Sequence, residues 1–134
     1  MPPEMTEVKR WLAKARNDRS VVTKILSSPL PELDVAAFHC QQAVEKLLKA
    51  FLVDRRVRFE KVHDLGWLLD LCASVDQTFE SLRDEVEPLS IYAVAFRYPG
   101  PADPALEQIR QATDTVDLVW KHVSDRLGSM DTAE

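Results

Sequence analysis

Glycine is nearly missing from this sequence: there are three in 134 residues. Neither a G-x-x-x-x-G-K-[ST] phosphate loop nor a G-x-S-x-G elbow is present, so an ordinary enzyme active site is not visible. Cysteine is equally rare. Cys40 and Cys72 fall within apolar helical patterns and read as buried free thiols in a reducing cytoplasm rather than as a disulfide. With His39, His63 and His122 they show no C-x-x-C or H-E-x-x-H spacing, so no metal and no cofactor is expected. No apolar run reaches the length of a membrane span, and the opening MPPEMTEVKRW lacks a signal-peptide layout. The chain therefore reads as cytoplasmic, without a membrane partner. Long strand-like alternation is missing too, which leaves the α-helix as the organising element.

Positive charge is also in deficit. A net charge of −5 disfavours a strongly basic nucleic-acid binder, because neutralising phosphates needs clustered cations. The imbalance is uneven, however. Residues 45–61 hold six Lys or Arg against three acids, a local +3 that leaves the remainder at −8. Two readings stay open: a local anion site, or a solvated helix end and its loop.

What the chain does have is apolar spacing by threes and fours. Val8, Trp11, Leu12, Ala15, Val22, Ile25 and Leu26 predict a first helix over about 6–27, with Thr6 as N-cap. SSPLPE ends it, since its prolines cannot continue a helix. A second helix over about 34–54 is apolar round most of its circumference. Ala37, Cys40, Val44, Leu47 and Phe51 make one stripe; Ala36, Ala43 and Ala50 make another. Such a helix is central to its fold, or lies between its own core and another subunit.

A third helix begins near HDL, with His63 or Asp64 as cap and Leu65, Leu68, Leu69, Cys72 and Val75 along it. Phe79, Leu82, Val86, Leu89, Ala93 and Phe96 continue the spacing, and Pro88 predicts a kink or two short helices there. After RYPGPADP a last helix opens with Asp103 as cap and Pro104 in its first turn. Its seam is Ile109, Thr113, Val116, Trp120, Val123 and Leu127. Residues 1–5 and 128–134 read as tails. The economical packing is one all-α domain over 1–134, an up-and-down bundle of four to five helices with its core at about 6–127.

The ordered set FHCQQAVEKLLKAFLV, HDLGWLL and FRYPG, on an all-helical chain of this length, resembles the HEPN domain. The likeness runs from RWLAKARND on the first helix to the last helix. It implies a bundle of four or five helices, usually a homodimer. It also implies a small HEPN protein of the kind encoded beside a minimal nucleotidyltransferase, in pairs regarded as toxin–antitoxin-like. Two activities come with the resemblance: a proposed nucleotide-binding role and, in other branches, metal-independent RNA cleavage by an Arg-x(4–6)-His motif. RFEKVH matches that string with Arg58 and His63, and Arg56 fits with six residues between. The segment reads instead as a loop entering the third helix, with His63 in the HDL cap. Arg97 of FRYPG suits the family's arginine position better. No histidine follows it within reach, so no general base for a ribose 2′-hydroxyl is evident, and no catalytic residue is assigned.

The remaining candidates are polar. His39, Gln42, Lys46 and Lys49 are separated by three, four and three residues and share one face of the second helix. Gln42 donates and accepts, and the lysines bring fixed charge, which together suit a phosphate or an acidic strip of a partner. The plainer alternative is a hydrogen-bonded, partly buried His39 and a Glu45–Lys49 pair within the helix. Arg97 and Tyr98 offer a planar donor fork and a hydroxyl on a flat apolar body; alternatively they finish a helix whose dipole the cation complements. The expectation is a dimerising partner subunit of a minimal nucleotidyltransferase, with Lys46, Lys49 and Arg97 drawing in a nucleotide or phosphate. The rival is an endoribonuclease toxin acting on RNA through Arg97 and Tyr98 with His39 or His63. Both suppose that the lysine ridge and the Arg–Tyr pair converge on a common hollow.

Overall fold

Helix α1 spans Pro3–Leu26 in the computed structural model, which describes residues 3–61, 63–95 and 104–127. It starts earlier than the expected Thr6 cap. Proline at a helix start has no N–H to lose, so Pro3 opens the helix and Thr6 lies within it. Residues 3–5 are thus helix rather than tail, and Met5 packs on the core.

Helix α2, Leu33–Asp54, runs antiparallel to α1, which places Trp11 beside Lys49 and Asp18 beside both His39 and Lys46. Both expected stripes are enclosed: Ala36, Ala37, Cys40, Ala43, Val44, Leu47, Ala50 and Phe51 are each no more than 1% exposed. α2 is the central element. Each large side chain buried there contributes about 1.5–3 kcal/mol of transfer free energy, and α1 and α6 cover its flanks.

Helix α3 spans Leu65–Val75 and is capped by Asp64, whose Oδ1 accepts from the backbone N–H groups of Gly66 at 2.9 Å and Trp67 at 3.3 Å. The next segment is broken more often than Pro88 alone requires. It comprises a 3-10 turn Gln77–Leu82, α4 at Arg83–Val86, a second 3-10 turn Glu87–Ile91 with Pro88 in its first positions, and α5 at Tyr92–Ala95. Phe79, Leu82, Val86 and Leu89 still reach the core, and Phe79 meets Phe51 at 4.4 Å between ring centroids.

Helix α6, Leu106–Ser124, begins after Pro104 rather than with it. The Gln108 side chain accepts from the Ala105 N–H at 2.7 Å, which fixes the start at that residue. Phe96 and the expected cap Asp103 lie outside the described residues. Along the seam Ile109, Val116, Val123 and Leu127 are buried, while Thr113 and Trp120 are half-buried. The architecture is an all-helical bundle, without strands among the described residues. Cys40 and Cys72 are free and buried.

Candidate anion site on the second helix

Two carboxylates are buried between helices, Asp18 at 6% and Glu45 at 2% exposure. A buried acid is costly unless a cation and further donors meet it. Each has one lysine and one histidine. Asp18 accepts from His39 Nδ1 at 2.8 Å and from Lys46 Nζ at 2.6 Å. Glu45 accepts from Lys49 Nζ at 2.9 Å, from His63 Nδ1 at 3.0 and 3.1 Å, and from Gln41 Nε2 at 3.1 Å. Gln42 Nε2 donates to Gln41 Oε1 at 2.7 Å, which ties the fourth member of the polar line to the Glu45 group.

The line therefore divides. His39 and Lys46 close on α1 through Asp18, whereas Gln42 and Lys49 belong to the Glu45 group with His63. Asp64 caps α3 beside it. Arg97 and Tyr98 lie outside the described residues.

Lys49 reaches further. Its ammonium sits 5.3 Å from the Trp11 ring centroid and 5.8 Å from that of Phe59, and the two rings meet edge to face at 6.3 Å. Cation–π contact of this kind stabilises by about 0.5–2 kcal/mol according to burial. The rings and the ammonium line a hollow of about 580 Å³ whose other walls include Arg56, Arg58 and Lys61. Glu7 and Glu60 also line it, so four cations face two acids. Arg58 and Lys61 are exposed, and neither has an ion-pair partner among the described residues.

The loop that builds this wall follows from how α2 ends. Arg56 takes φ 59°, and the N–H groups of Arg56 and Val57 donate to the carbonyls of Val53 at 3.0 Å and Leu52 at 2.9 Å. That is a Schellman closure, in which glycine usually holds the left-handed position. An arginine there costs about 1–2 kcal/mol of local strain. Strain retained beside a hollow motivates a functional reading.

The main residues absent from the sequence expectation are Asp18 and Gln41, together with Trp11 and Phe59 as ring walls. Asp18 left a signal: it stands three residues after Ala15 and four before Val22, an acid on the buried stripe of α1. Gln41 left none, since its neighbour Cys40 already accounts for an inward face.

A family model described as the HEPN domain matches residues 8–126. The chain belongs to the HEPN family. The matched span of this HEPN chain takes in both carboxylate groups and all but the Glu7 edge of the hollow. Comparison with the curated proteins and with the solved structures returned no match. Among the described residues no helix is long and apolar enough to cross a membrane.

Proposed function

We propose that this HEPN domain is a binding subunit that takes a nucleotide or phosphate in the Lys49 hollow. It acts as a homodimer and as the partner of a minimal nucleotidyltransferase in a toxin–antitoxin-like module. The observation that carries the ligand reading is the cationic wall set over an aromatic floor. Glu45 offsets the charge of Lys49 and fixes its position, so direct phosphate contact falls to Arg58 and Lys61, with Arg56 on the same wall. Trp11 and Phe59 supply flat apolar surface for a base. Partly exposed ion pairs of this sort contribute on the order of 1 kcal/mol each, which with ring contact suits micromolar to millimolar affinity. His39 and Lys46 act at one remove, holding α1 against α2 so that Trp11 faces Lys49.

Calorimetric titration with inorganic phosphate and with a nucleoside monophosphate tests this. Heat of binding that is lost in Arg58→Glu with Lys61→Glu supports it, and silence with both ligands sinks it. The partner claim is separate, and is tested by co-purification with a nucleotidyltransferase encoded beside the gene.

One observation favours a second reading. The Glu45 carboxylate orients His63 through Nδ1, while the side chain stays 61% exposed, the arrangement a general base requires. An RNA-cleaving HEPN protein could use that imidazole with Arg58 or Arg97. Incubation with tRNA in chelator separates the readings, since cleavage abolished by His63→Ala would establish the ribonuclease.

A further inference from the structure

A second depression, about 470 Å³, lies between α6 and the broken segment around α4 and the second 3-10 turn. Pro88, Tyr92 and Leu118 supply its apolar surface, and Leu118 is 44% exposed. Asp84, Glu85 and Asp114 also line it. None of the three has an ion-pair partner among the described residues, whereas neighbouring Arg83 is engaged by Asp70, Glu80 and Glu87. The contrast with Asp18 and Glu45 is direct: those acids are neutralised inside the fold, and these are left facing outward beside apolar side chains.

We infer that this groove docks a cationic amphipathic helix of another protein. A trough between two helical segments suits a third helix laid along it, with apolar side chains at i and i+4 inward and Lys or Arg along the acidic edge. The α6 wall from Gln108 to Leu118 is about 15 Å long, enough for roughly three turns of a partner helix. A second copy of the chain is a poor occupant. A two-fold contact through this face would set one copy's Asp84, Glu85 and Asp114 against the other's. A head-to-tail contact with the cationic 45–61 stretch would build rings or filaments rather than the two-fold dimer proposed above. The charge outside that stretch is −8, so long-range attraction also favours a cationic partner. The groove shares no lining residue with the Lys49 hollow, so each site stands or falls alone.

The probe is a fluorescein-labelled synthetic helix of about fourteen residues, with leucines at i, i+4 and i+7 and lysines flanking them, beside an isomer carrying glutamate for lysine. Anisotropy on the full chain is expected to give saturable binding for the lysine peptide only. Affinity should fall at least tenfold in the Asp84→Lys, Asp114→Lys double variant and several-fold in Leu118→Ala, and stay unchanged in Arg58→Glu. Circular dichroism checks that each variant is folded. Absence of binding, equal binding of both peptides, or indifference to charge reversal would overturn the proposal. So would sedimentation showing that charge reversal dissolves a dimer, because the occupant would then be a second copy.

Discussion

Lys49 Nζ lies 2.9 Å from a Glu45 carboxylate oxygen and 5.3 Å from the centre of the Trp11 ring, so one ammonium joins the buried acid of α2 to the aromatic floor of a hollow. This accounts for polar residues on so apolar a helix. They neutralise two enclosed carboxylates, and one of them extends beyond that task to an accessible surface.

Removing a buried carboxylate should be costly because its lysine stays behind. Glu45→Ala leaves Lys49, whose side chain is 7% exposed, without its counter-charge, and Asp18→Ala does the same to Lys46. Each is expected to lower stability by about 3–5 kcal/mol in urea unfolding. Lys121→Ala, which breaks the exposed Lys121–Asp125 pair, should change it by less than about 0.5 kcal/mol. Equal effects at the three positions would mean that the buried groups are not neutralising one another.

Arg56→Gly separates strain from binding. Glycine accepts φ 59° without penalty, so the backbone change by itself favours the variant by up to about 1 kcal/mol. Phosphate affinity should nevertheless fall. Thermal melts and calorimetry on the same sample check both; weaker folding with unchanged affinity would contradict the assignment of Arg56 to the hollow.

The thiols should be inert in the native chain. Burial pushes the Cys40 thiol up to about 11, against smaller lowering effects from Thr113 and Arg19, and burial raises Cys72 further still. At pH 8 both are thiols rather than thiolates, and neither is accessible. Ellman's reagent should report no fast-reacting thiol in native protein and two in guanidinium. Reductant should leave the melting temperature unchanged.

Acid should loosen the contact between the first 3-10 turn and the end of α6. Thr78 Oγ1 is 3.0 Å from His122 Nε2, and Arg126 Nε donates to Asp76 Oδ2 at 3.1 Å. Burial, then Arg126, lowers the His122 pKa below its ordinary 6.5, outweighing Asp76 and Asp125. As pH falls through 6.5 the unfolded chain protonates first, so stability declines until the folded value is passed. The Thr78 hydroxyl holds the Asp76 carboxyl below its usual range. That contribution is complete above about pH 4 and disappears as pH drops through the folded value. Urea midpoints from pH 7.5 to 5 should fall less steeply in His122→Gln than in the parent; parallel curves would exclude this role.

The bundle could be read from the sequence because apolar spacing survives packing: the stripes of α2 and the buried part of the α6 seam lie where periodicity puts them. Boundaries were harder. Pro3 and Gln108 decide where α1 and α6 begin, the first by lacking an N–H and the second through one side-chain hydrogen bond, and periodicity registers neither. The candidate site was half visible. Spacing along one helix puts Lys46 and Lys49 on one face, but nothing along the chain says that Asp18, twenty-eight residues before Lys46, closes on it while Trp11 meets Lys49. Convergence across helices is a property of packing.

The most direct test uses the indole in the hollow. In a Trp67→Phe, Trp120→Phe background, Trp11 is the remaining tryptophan of the three in the chain, and its emission reports on occupancy. Titration with a nucleoside monophosphate should quench it saturably, more weakly at high salt, and not at all after Arg58→Glu with Lys61→Glu. Emission that stays flat across the titration, or quenching that ignores those two charges, would contradict an anion site at Lys49.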